Sequence, residues 1–359
     1  MIVLGIETSC DETAAALVEE TGDAARPWRL LSSSVASQVA IHREWGGVVP
    51  ELSARQHIRD ICGVVERTLL DGGHARYDAV AVTQGPGLVG SLLVGVAFAK
   101  SLAWASHVPL IPVHHLAGHV ESLVLDGGEM PLPAVVLIVS GGHTSLYVTR
   151  SPGALELIGR TRDDAAGEAY DKVAKLLGLG YPGGPVIDRL AGEGNDRAVS
   201  LPKTRLTHAD RNAPDMPGRR DFSFSGLKTA VLRHVNTRRS ALGLGDTDAL
   251  PEDEIRDLCA SFQRVVVEVL LDRLFEAARS YGAHSVGIAG GVSANSRLRA
   301  DAIVQGESRD LPVFIPSLAL STDNAAMIAA AGLRTFRAGT TAGWDLNADA
   351  ALKLGRLGC

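Results

Sequence analysis

The sequence predicts a two-lobed α/β protein built from a duplicated α/β unit. The chain of 359 residues is long for one core, so two domains of roughly 100 to 200 residues are expected. A hydrophobic content of 46% with 21% charged residues is typical of a folded α/β protein. An apolar run, a polar turn and a returning strand occur at 2–18, and the pattern returns at 134–149. One such opening in each half indicates a duplicated unit.

The first half of the chain alternates strand and helix signals. Short apolar runs rich in β-branched residues predict strands, and apolar residues spaced by three or four predict helices. These patterns predict strands within 2–18, a long helix over 52–70, a buried strand at 78–83, a helix at 91–106 and a strand at 110–113.

A glycine pattern lies between the strand at 78–83 and the following helix. Gly85, Gly87 and Gly90 satisfy G-x-G-x-x-G, so a dinucleotide site must be weighed. The fingerprint also needs a carboxylate roughly twenty residues further on, and 105–110 contains none. Close packing of the helix is the favoured explanation of these glycines.

Two histidines follow the strand at 110–113 at helical spacing. If the segment is a helix, His115 and His119 lie on one face and can share one divalent metal ion. Leu116 stands where a zinc protease of the H-E-x-x-H type has its general-base glutamate, which disfavours protease activity. A chance pair of hydrogen-bonded histidines is the alternative.

The second half begins after a Gly- and Pro-rich segment at 126–133, the predicted domain boundary. A strand at 134–139, a glycine turn and a returning strand come first. An amphipathic helix ending near Gly178, a second helix at 252–280, a strand from 285, a helix at 296–305 and a helix opening at 321–324 follow. The segment after Arg337 shows no periodic pattern up to 348.

Several turns of the second half are candidate ligand-binding loops. Exposed amides at Gly141 and Gly142 suit phosphate or carboxylate oxygens, unless the turn is an ordinary hairpin. The glycines at 183–184 permit close approach of a ligand. Asn295 follows two glycines and can donate and accept at the edge of a flat ring. Asp323 is either an N-cap or a third metal ligand, which would complete a set suited to ferrous iron or zinc.

Charge and cysteine usage narrow the function classes. A formal net charge of -6 argues against coating of nucleic acid by bulk charge, but permits a local basic patch. The segment 201–239 is such a patch, and its basic residues with Phe222 and Phe224 form a candidate RNA-backbone and base-stacking loop. The four cysteines contain no C-x-x-C pair, which favours a reducing cytoplasm. Neither a signal peptide nor a membrane span is recognised.

Ten motifs in order along the chain closely resemble those of the tRNA N6-adenosine threonylcarbamoyltransferases, once labelled O-sialoglycoprotein endopeptidases. They lie at 5–13, 46–51, 84–90, 114–119, 140–144, 163–177, 181–185, 221–228, 290–295 and 321–328. The resemblance implies the two-lobed actin-like, sugar-kinase and heat-shock ATPase fold. We expect an N-terminal lobe at 1–130, a C-terminal lobe at 131–336 with a basic insertion, and a C-terminal extension at 337–359, which departs from the family pattern.

The resemblance also implies a reaction and its residues. A threonylcarbamoyl adenylate would donate its acyl group to N6 of the adenosine beside the anticodon in tRNAs that read ANN codons. The metal, iron first and zinc second, would be held by His115, His119 and Asp323. The adenylate would be held by a second set of residues: Ser140, Gly141, Gly142, His143, Thr144, Asp171, Gly184, Asp188 and Asn295. No general base is identified, and Asp11 and Glu12 are the candidates.

Partners and rival activities follow from the same resemblance. The implied partners are tRNA, a degenerate paralogue (TsaB-like) and a small ATPase (TsaE-like), with no membrane. A metal-dependent glycoprotease would use the same histidines, and an ATPase or kinase would share the fold, since fold alone does not determine activity.

Overall fold

Two five-stranded sheets share one strand order. The computed structural model describes residues 1–73, 76–204, 206 and 218–354. The strands are β1 (Ile2–Glu7), β2 (Glu12–Glu20), β3 (Trp28–Ser37), β4 (Ala79–Gly85), β5 (Leu110–His114), β6 (Ala134–Val139), β7 (Thr144–Ser151), β8 (Ala154–Arg160), β9 (Ser285–Ala289) and β10 (Val313–Phe314). The sheet orders are β3-β2-β1-β4-β5 and β10-β9-β6-β7-β8.

The topology confirms the predicted duplication. In each sheet the first strand is central and pairs antiparallel with the strand that follows it, as Ile2↔Glu19 and Ala134↔Thr149 show. On its other side it pairs parallel with the fourth strand of that half, through Val3↔Ala79 and Ala134↔Ser285. The parallel neighbours require helical crossovers, which the α/β pattern supplies.

The helices of the described chain follow the predicted pattern with several additions. They are α1 (Val39–Arg43), α2 (Pro50–Asp71), α3 (Val89–Ser106), α4 (His115–Gly127), α5 (Ala166–Leu176), α6 (Gly183–Ala191), α7 (Ser225–Leu242), α8 (Glu252–Tyr281), α9 (Ser296–Glu307), α10 (Leu318–Ser321) and α11 (Ala325–Arg337). Strands β3, β8 and β10 and helices α1, α6, α7 and α10 were not predicted. The Gly-Gly-Pro start of α6 looks like a turn, yet proline is tolerated in the first turn of a helix.

The chain divides into two compact units, and each unit combines stretches that are not consecutive in the chain. The sequence analysis expected three consecutive segments instead. The first unit comprises Met1–Pro131, Arg150–Leu155 and Phe314–Cys359, and the second comprises Leu132–Thr149 and Glu156–Val313. The C-terminal residues join the first unit because α11 packs on its sheet. A side chain at Gly5 would place its Cβ 2.3 Å from the carbonyl oxygen of Ala325, so glycine permits this close approach.

The G-x-G-x-x-G glycines serve packing. A Cβ at Gly85 would lie 1.9 Å from the carbonyl oxygen of Asp349, and one at Gly87 would lie 2.6 Å from that of Ser9. The explanation by close packing is confirmed, but the main partners are other backbone segments rather than the following helix. The space beside Gly87, the second glycine of the pattern, where a dinucleotide loop lets pyrophosphate approach, is filled by Ser9.

Among the described residues, α3 is the one helix long and apolar enough to cross a membrane by length and composition. Leu92, Val96 and Ala99 of this helix are buried, and the last two belong to a core cluster with Ile6 and Val80. A core helix of a folded domain meets the same criteria, so the finding is weak evidence for a span.

Candidate functional site

The two spaced histidines open α4, which confirms their predicted helical placement. His114 ends β5 and caps the helix, because its Nδ1 accepts a 3.1 Å hydrogen bond from the amide of Leu116. His115 and His119 are buried on one face with their ring centroids 4.7 Å apart.

Asp323 lies beside both imidazoles. Its Oδ1 is 3.5 Å from Nε2 of His115 and 3.3 Å from Nε2 of His119. One potential ligand atom from each of the three residues lies within 4.8 Å of the other two. The alternative that Asp323 caps α11 is wrong, because Asn324 accepts the capping hydrogen bond from the Met327 amide at 3.0 Å.

Helix packing holds the three residues together. A Cβ at Gly118, between the two histidines, would lie 2.9 Å from Cδ1 of Ile328, so glycine lets α4 and α11 approach closely. One turn further, the buried Glu121 carboxylate accepts hydrogen bonds of 2.6 and 2.9 Å from Arg334 of α11. It also accepts a 2.8 Å bond from the indole of Trp28. These contacts fix α11 beside α4 and thereby place Asp323.

The histidines fit a divalent metal. Among the described residues, the buried Nδ1 of His119 has no hydrogen-bond partner, and Nε2 makes the 3.3 Å contact with Asp323 without a hydrogen bond of good geometry. Such a group is costly to leave unpaired, and a neutral imidazole nitrogen is a common metal ligand. Burial opposes charge on His115, but the carboxylates of Asp323 and Glu7 outweigh it and raise its pKa to about 9. The pocket therefore stabilises positive charge, and a bound metal replaces such a proton.

Glu7 is a site residue that sequence reasoning missed. Its fully buried carboxylate lies 3.2 Å from Nδ1 of His115 and accepts hydrogen bonds from Thr83 Oγ1, at 2.6 Å, and from the Ser9 amide. Burial alone would raise the pKa of Glu7, but His115 and the hydrogen bonds outweigh it and lower the pKa. A carboxylate on the outer nitrogen leaves Nε2 of a histidine free for a metal. The available signal was a charged residue at the end of a buried strand.

Replacing Glu7 by glutamine is expected to weaken metal binding by about 10- to 100-fold, the range for outer partners of metal ligands. The neutral amide no longer orients the His115 ring by charge. Titration of metal-free protein with Zn²⁺ in a calorimeter measures the effect. Glu19→Gln, at the surface end of β2, is the matched control, and an unchanged affinity in Glu7→Gln would refute the role.

Glu12 is poorly suited to act as a ready general base. Burial first, then the carboxylates of Asp11 and Asp323, raise the pKa of Glu12 to about 10. The Glu12 carboxyl group accepts a 3.3 Å hydrogen bond from the hydroxyl of Ser37.

The turn that connects β6 to β7, taken together with the first residue of β7, contains five residues predicted to bind the adenylate: Ser140, Gly141, Gly142, His143 and Thr144. The turn is closed by a 2.8 Å hydrogen bond from its first amide to the carbonyl of its fourth residue. The hydroxyl of its last residue accepts a 2.9 Å bond from the amide of Ala166 at the start of α5. Both turn glycines are exposed, and an added Cβ on either would meet nothing within 4 Å. Open space therefore lies above their backbone.

Asp188 and Asn295 come together in the second unit. The amide nitrogen of Asn295 lies 3.1 Å from Oδ1 of Asp188 and donates a 2.8 Å bond to Gln263. Its carbonyl oxygen caps α9 by accepting from the Leu298 amide at 2.9 Å. Asp188 also accepts from Gln263 and from Ser296. Asn295 thus orients Asp188, whereas the sequence suggested an amide available to a base edge.

Asp171 of α5 contacts the first residue of α6, which precedes Gly184. Oδ1 of Asp171 accepts a 2.7 Å hydrogen bond from the amide of Gly183, the first residue of α6. A Cβ at Gly183 would lie 2.7 Å from the Tyr170 carbonyl oxygen, whereas one at Gly184 would meet nothing within 4 Å. Gly184 therefore borders open space beside Asp171.

The segment 201–239 was expected to stack RNA bases on Phe222 and Phe224, and this expectation is wrong because both side chains are buried. Phe222 and Phe224 are each 1% exposed and stack on each other with centroids 6.4 Å apart. Both belong to the core, and the chain continues directly into helix α7 where a solvated loop was expected. Arg205 and Arg211 lie outside the described residues, and Lys203 is paired with Glu268 at 2.6 Å.

The chain is similar to one family throughout. The family model described as "TsaD: tRNA N6-adenosine threonylcarbamoyltransferase" matches residues 29–330. A protein of that name from Anaeromyxobacter dehalogenans (strain 2CP-C) is 51% identical, covering 98% of this chain and 99% of its own. The one from Bacillus subtilis (strain 168) is 47% identical, over 99% of this chain and 96% of its own.

Solved structures with little sequence identity share the fold. Full-length HypF has a TM-score of 0.55 at 14% identity, covering 93% of this chain and 55% of that one. Component A of (R)-2-hydroxyglutaryl-CoA dehydratase from Acidaminococcus fermentans has a TM-score of 0.51 at 14% identity. The match covers 95% of this chain and 100% of that one. The fold is the expected actin-like, sugar-kinase and heat-shock ATPase fold. By the family model and by relatives about half identical over nearly their whole length, the chain belongs to the tRNA N6-adenosine threonylcarbamoyltransferase family.

Proposed function

We propose that this chain transfers the threonylcarbamoyl group of threonylcarbamoyl adenylate to N6 of the adenosine beside the anticodon in tRNAs that read ANN codons. The observation that carries the proposal is the match to relatives of that activity over nearly the whole chain. The cluster of two buried histidines, His115 and His119, with the half-buried Asp323 supports it. Leu116 is buried between the histidines, where a zinc protease has its glutamate.

The reaction is acyl transfer to a weak amine. The N6 nitrogen attacks the carbamoyl carbon, the bond from that carbon to the phosphate oxygen breaks, AMP departs and one N6 proton is lost. Orientation of the two reactants and stabilisation of developing negative charge are the main tasks of the protein. The exposed amides of Gly141 and Gly142 are suited to the phosphate oxygens. We assign no general base.

Iron is the proposed metal and zinc the second candidate, because two imidazoles and one carboxylate with open positions suit both. His115, His119 and Asp323 would hold it. When bound, such a metal supplies a Lewis acid that stabilises negative charge on an oxygen. Glu7 orients His115 for this role through its contact with Nδ1.

The residues of the second unit that the resemblance assigns to the adenylate are proposed to bind it. Asp188 is held by Gln263, Asn295 and Ser296, so its carboxylate is positioned before any ligand arrives. Open space at Gly184 and at the β6–β7 turn leaves room for a ligand against the backbone. Preorganised polar groups of this kind fix the orientation of a small molecule.

Replacing Asp188 by alanine is expected to weaken AMP binding by about tenfold or more. Hydrogen bonds to charged groups contribute about 1.5–3 kcal/mol, and 1.4 kcal/mol corresponds to a factor of ten. Equilibrium binding of AMP to the purified chain measures the loss. Asp253→Ala, in the exposed first turn of α8, is the control. If Asp188→Ala binds AMP as tightly as the native chain does, Asp188 is not part of the adenylate-binding site.

The proposed partners are tRNA, the degenerate paralogue and the small ATPase, and the proposed location is the cytoplasm without membrane attachment. The target base in a single-stranded loop can be turned out at modest cost. Val89, Leu93 and Trp104 of α3 are 45 to 67% exposed and follow one stripe of the helix. An exposed apolar stripe supports a protein partner.

The experiment that tests the function is reconstitution. Purified chain is incubated with the partner proteins, a synthase that makes the adenylate, threonine, bicarbonate, ATP and unmodified tRNA, and the nucleosides are analysed by mass spectrometry. Threonylcarbamoyladenosine that depends on the chain is the expected result. No product with all partners shown to be active would refute the proposal.

A further inference from the structure

The C-terminal segment, residues 340–354, contacts the start of β5 through Ala342 and the ends of β4 and β5 through its later residues. The amide of Ala342 donates to the Leu110 carbonyl at 2.8 Å, and Lys100 Nζ donates to the Leu346 carbonyl at 2.6 Å. Side chains of Leu346 and Leu352 are buried. Most of these contacts use the backbone of the segment, so the sequence carries no periodic signal for it.

The segment reaches the residue that caps the metal-binding helix. Nε2 of His114 lies 3.1 Å from the carbonyl oxygen of Leu352. Nδ1 of the same ring accepts from the Leu116 amide, so a neutral imidazole must carry its proton on Nε2 and donate it to Leu352. One ring thus joins the C-terminal segment to the first turn of α4.

We propose that the C-terminal segment is a positioning element of the metal centre, acting through the hydrogen bond from His114 to Leu352. His115 is the first residue of α4 and His119 lies one turn later. The orientation of the capping ring sets the direction in which the helix leaves β5. The segment therefore determines how both imidazoles are presented. This inference rests on the proposed metal site and assigns a role to a segment that follows residue 330, where the match to the family model ends.

The C-terminal segment packs directly against Gly85 at the end of β4. The amide of Asp349 donates to the Gln84 carbonyl at 2.9 Å, and Gln84 Nε2 donates to the Asn347 carbonyl at 3.3 Å. The segment approaches so closely that a Cβ at Gly85 would lie 1.9 Å from the Asp349 oxygen and 3.0 Å from Cβ of Leu352. One added methyl group at Gly85 therefore displaces the segment while all metal ligands and the helix cap remain.

The test compares Gly85→Ala with Gly63→Ala, since a Cβ at Gly63 would meet nothing within 4 Å. Metal-free full-length chains are titrated with Co²⁺, and the dissociation constant and visible spectrum of the bound ion are recorded. Gly85→Ala is expected to raise the dissociation constant about tenfold, the lower end for outer partners, and to change the spectrum. Gly63→Ala is expected to match the native chain.

A second variant keeps the proposal testable if Gly85→Ala does not fold. In His114→Asn the shorter side chain still caps α4 at the Leu116 amide but no longer reaches Leu352. We expect it to bind Co²⁺ about tenfold more weakly, a loss at the lower end of that caused by removing groups that orient metal ligands. Native affinity and spectrum in this folded variant would overturn the role of the segment alone. A native chain that binds no Co²⁺ would overturn the metal site and this inference together.

Discussion

Replacing His115 and His119 together by alanine is expected to abolish both metal binding and formation of threonylcarbamoyladenosine. The change removes two of three potential ligands and leaves the Asp323 carboxylate, which cannot hold a transition metal alone. Since loss of an outer partner costs about 10- to 100-fold in affinity, loss of two ligands is expected to exceed that range. Metal content by mass spectrometry and product by nucleoside analysis are the measurements.

His284→Ala, at an exposed position, is the control and is expected to keep metal and activity. Circular dichroism verifies that the double variant is folded. A folded double variant with native product formation would favour the ATPase or kinase alternative, whose chemistry does not require these histidines. A native chain that binds metal but modifies no tRNA would instead count against the transferase function.

Replacing Arg334 by methionine is expected to cost about 3–5 kcal/mol of the free energy of unfolding of the first unit. Methionine keeps an apolar stem but leaves the Glu121 carboxylate, which is 5% exposed, without its cation. The Trp28 indole alone cannot compensate a buried charge. Thermal and urea unfolding measure the loss. Weaker metal binding is expected to accompany it, because this pair fixes α11 beside α4.

Arg29→Met is the matched control, because the Arg29–Glu19 pair is more exposed and such pairs contribute about 0–1 kcal/mol. Combining Arg334→Met with Glu121→Leu is expected to recover part of the loss, since a buried pair replaced by apolar groups is often neutral. A loss in Arg334→Met no larger than in Arg29→Met would show that the pair contributes little.

Most regular elements could be predicted because their signals are local. The runs that became β1, β4 and β6 are continuous and apolar, and α2 and α8 repeat apolar residues at helical spacing. The strand β3 was missed because its serines dilute the alternation. The buried Phe222 and Phe224 were misjudged because surrounding arginines and lysines suggested a solvated loop, whereas burial depends on distant contacts.

By itself, the sequence determined the fold class, the duplicated unit, the helical spacing of His115 and His119, and the family. Each of these features depends on local periodicity or on short motifs, and neither requires knowledge of which residues touch in the folded chain. Only the tertiary structure decided that Glu7 supports His115 and that the C-terminal segment reaches His114. These partners lie 108 and 238 residues apart in the chain. A hydrogen bond needs only one donor and one acceptor in register, so residue types alone do not reveal such pairs until packing brings them together.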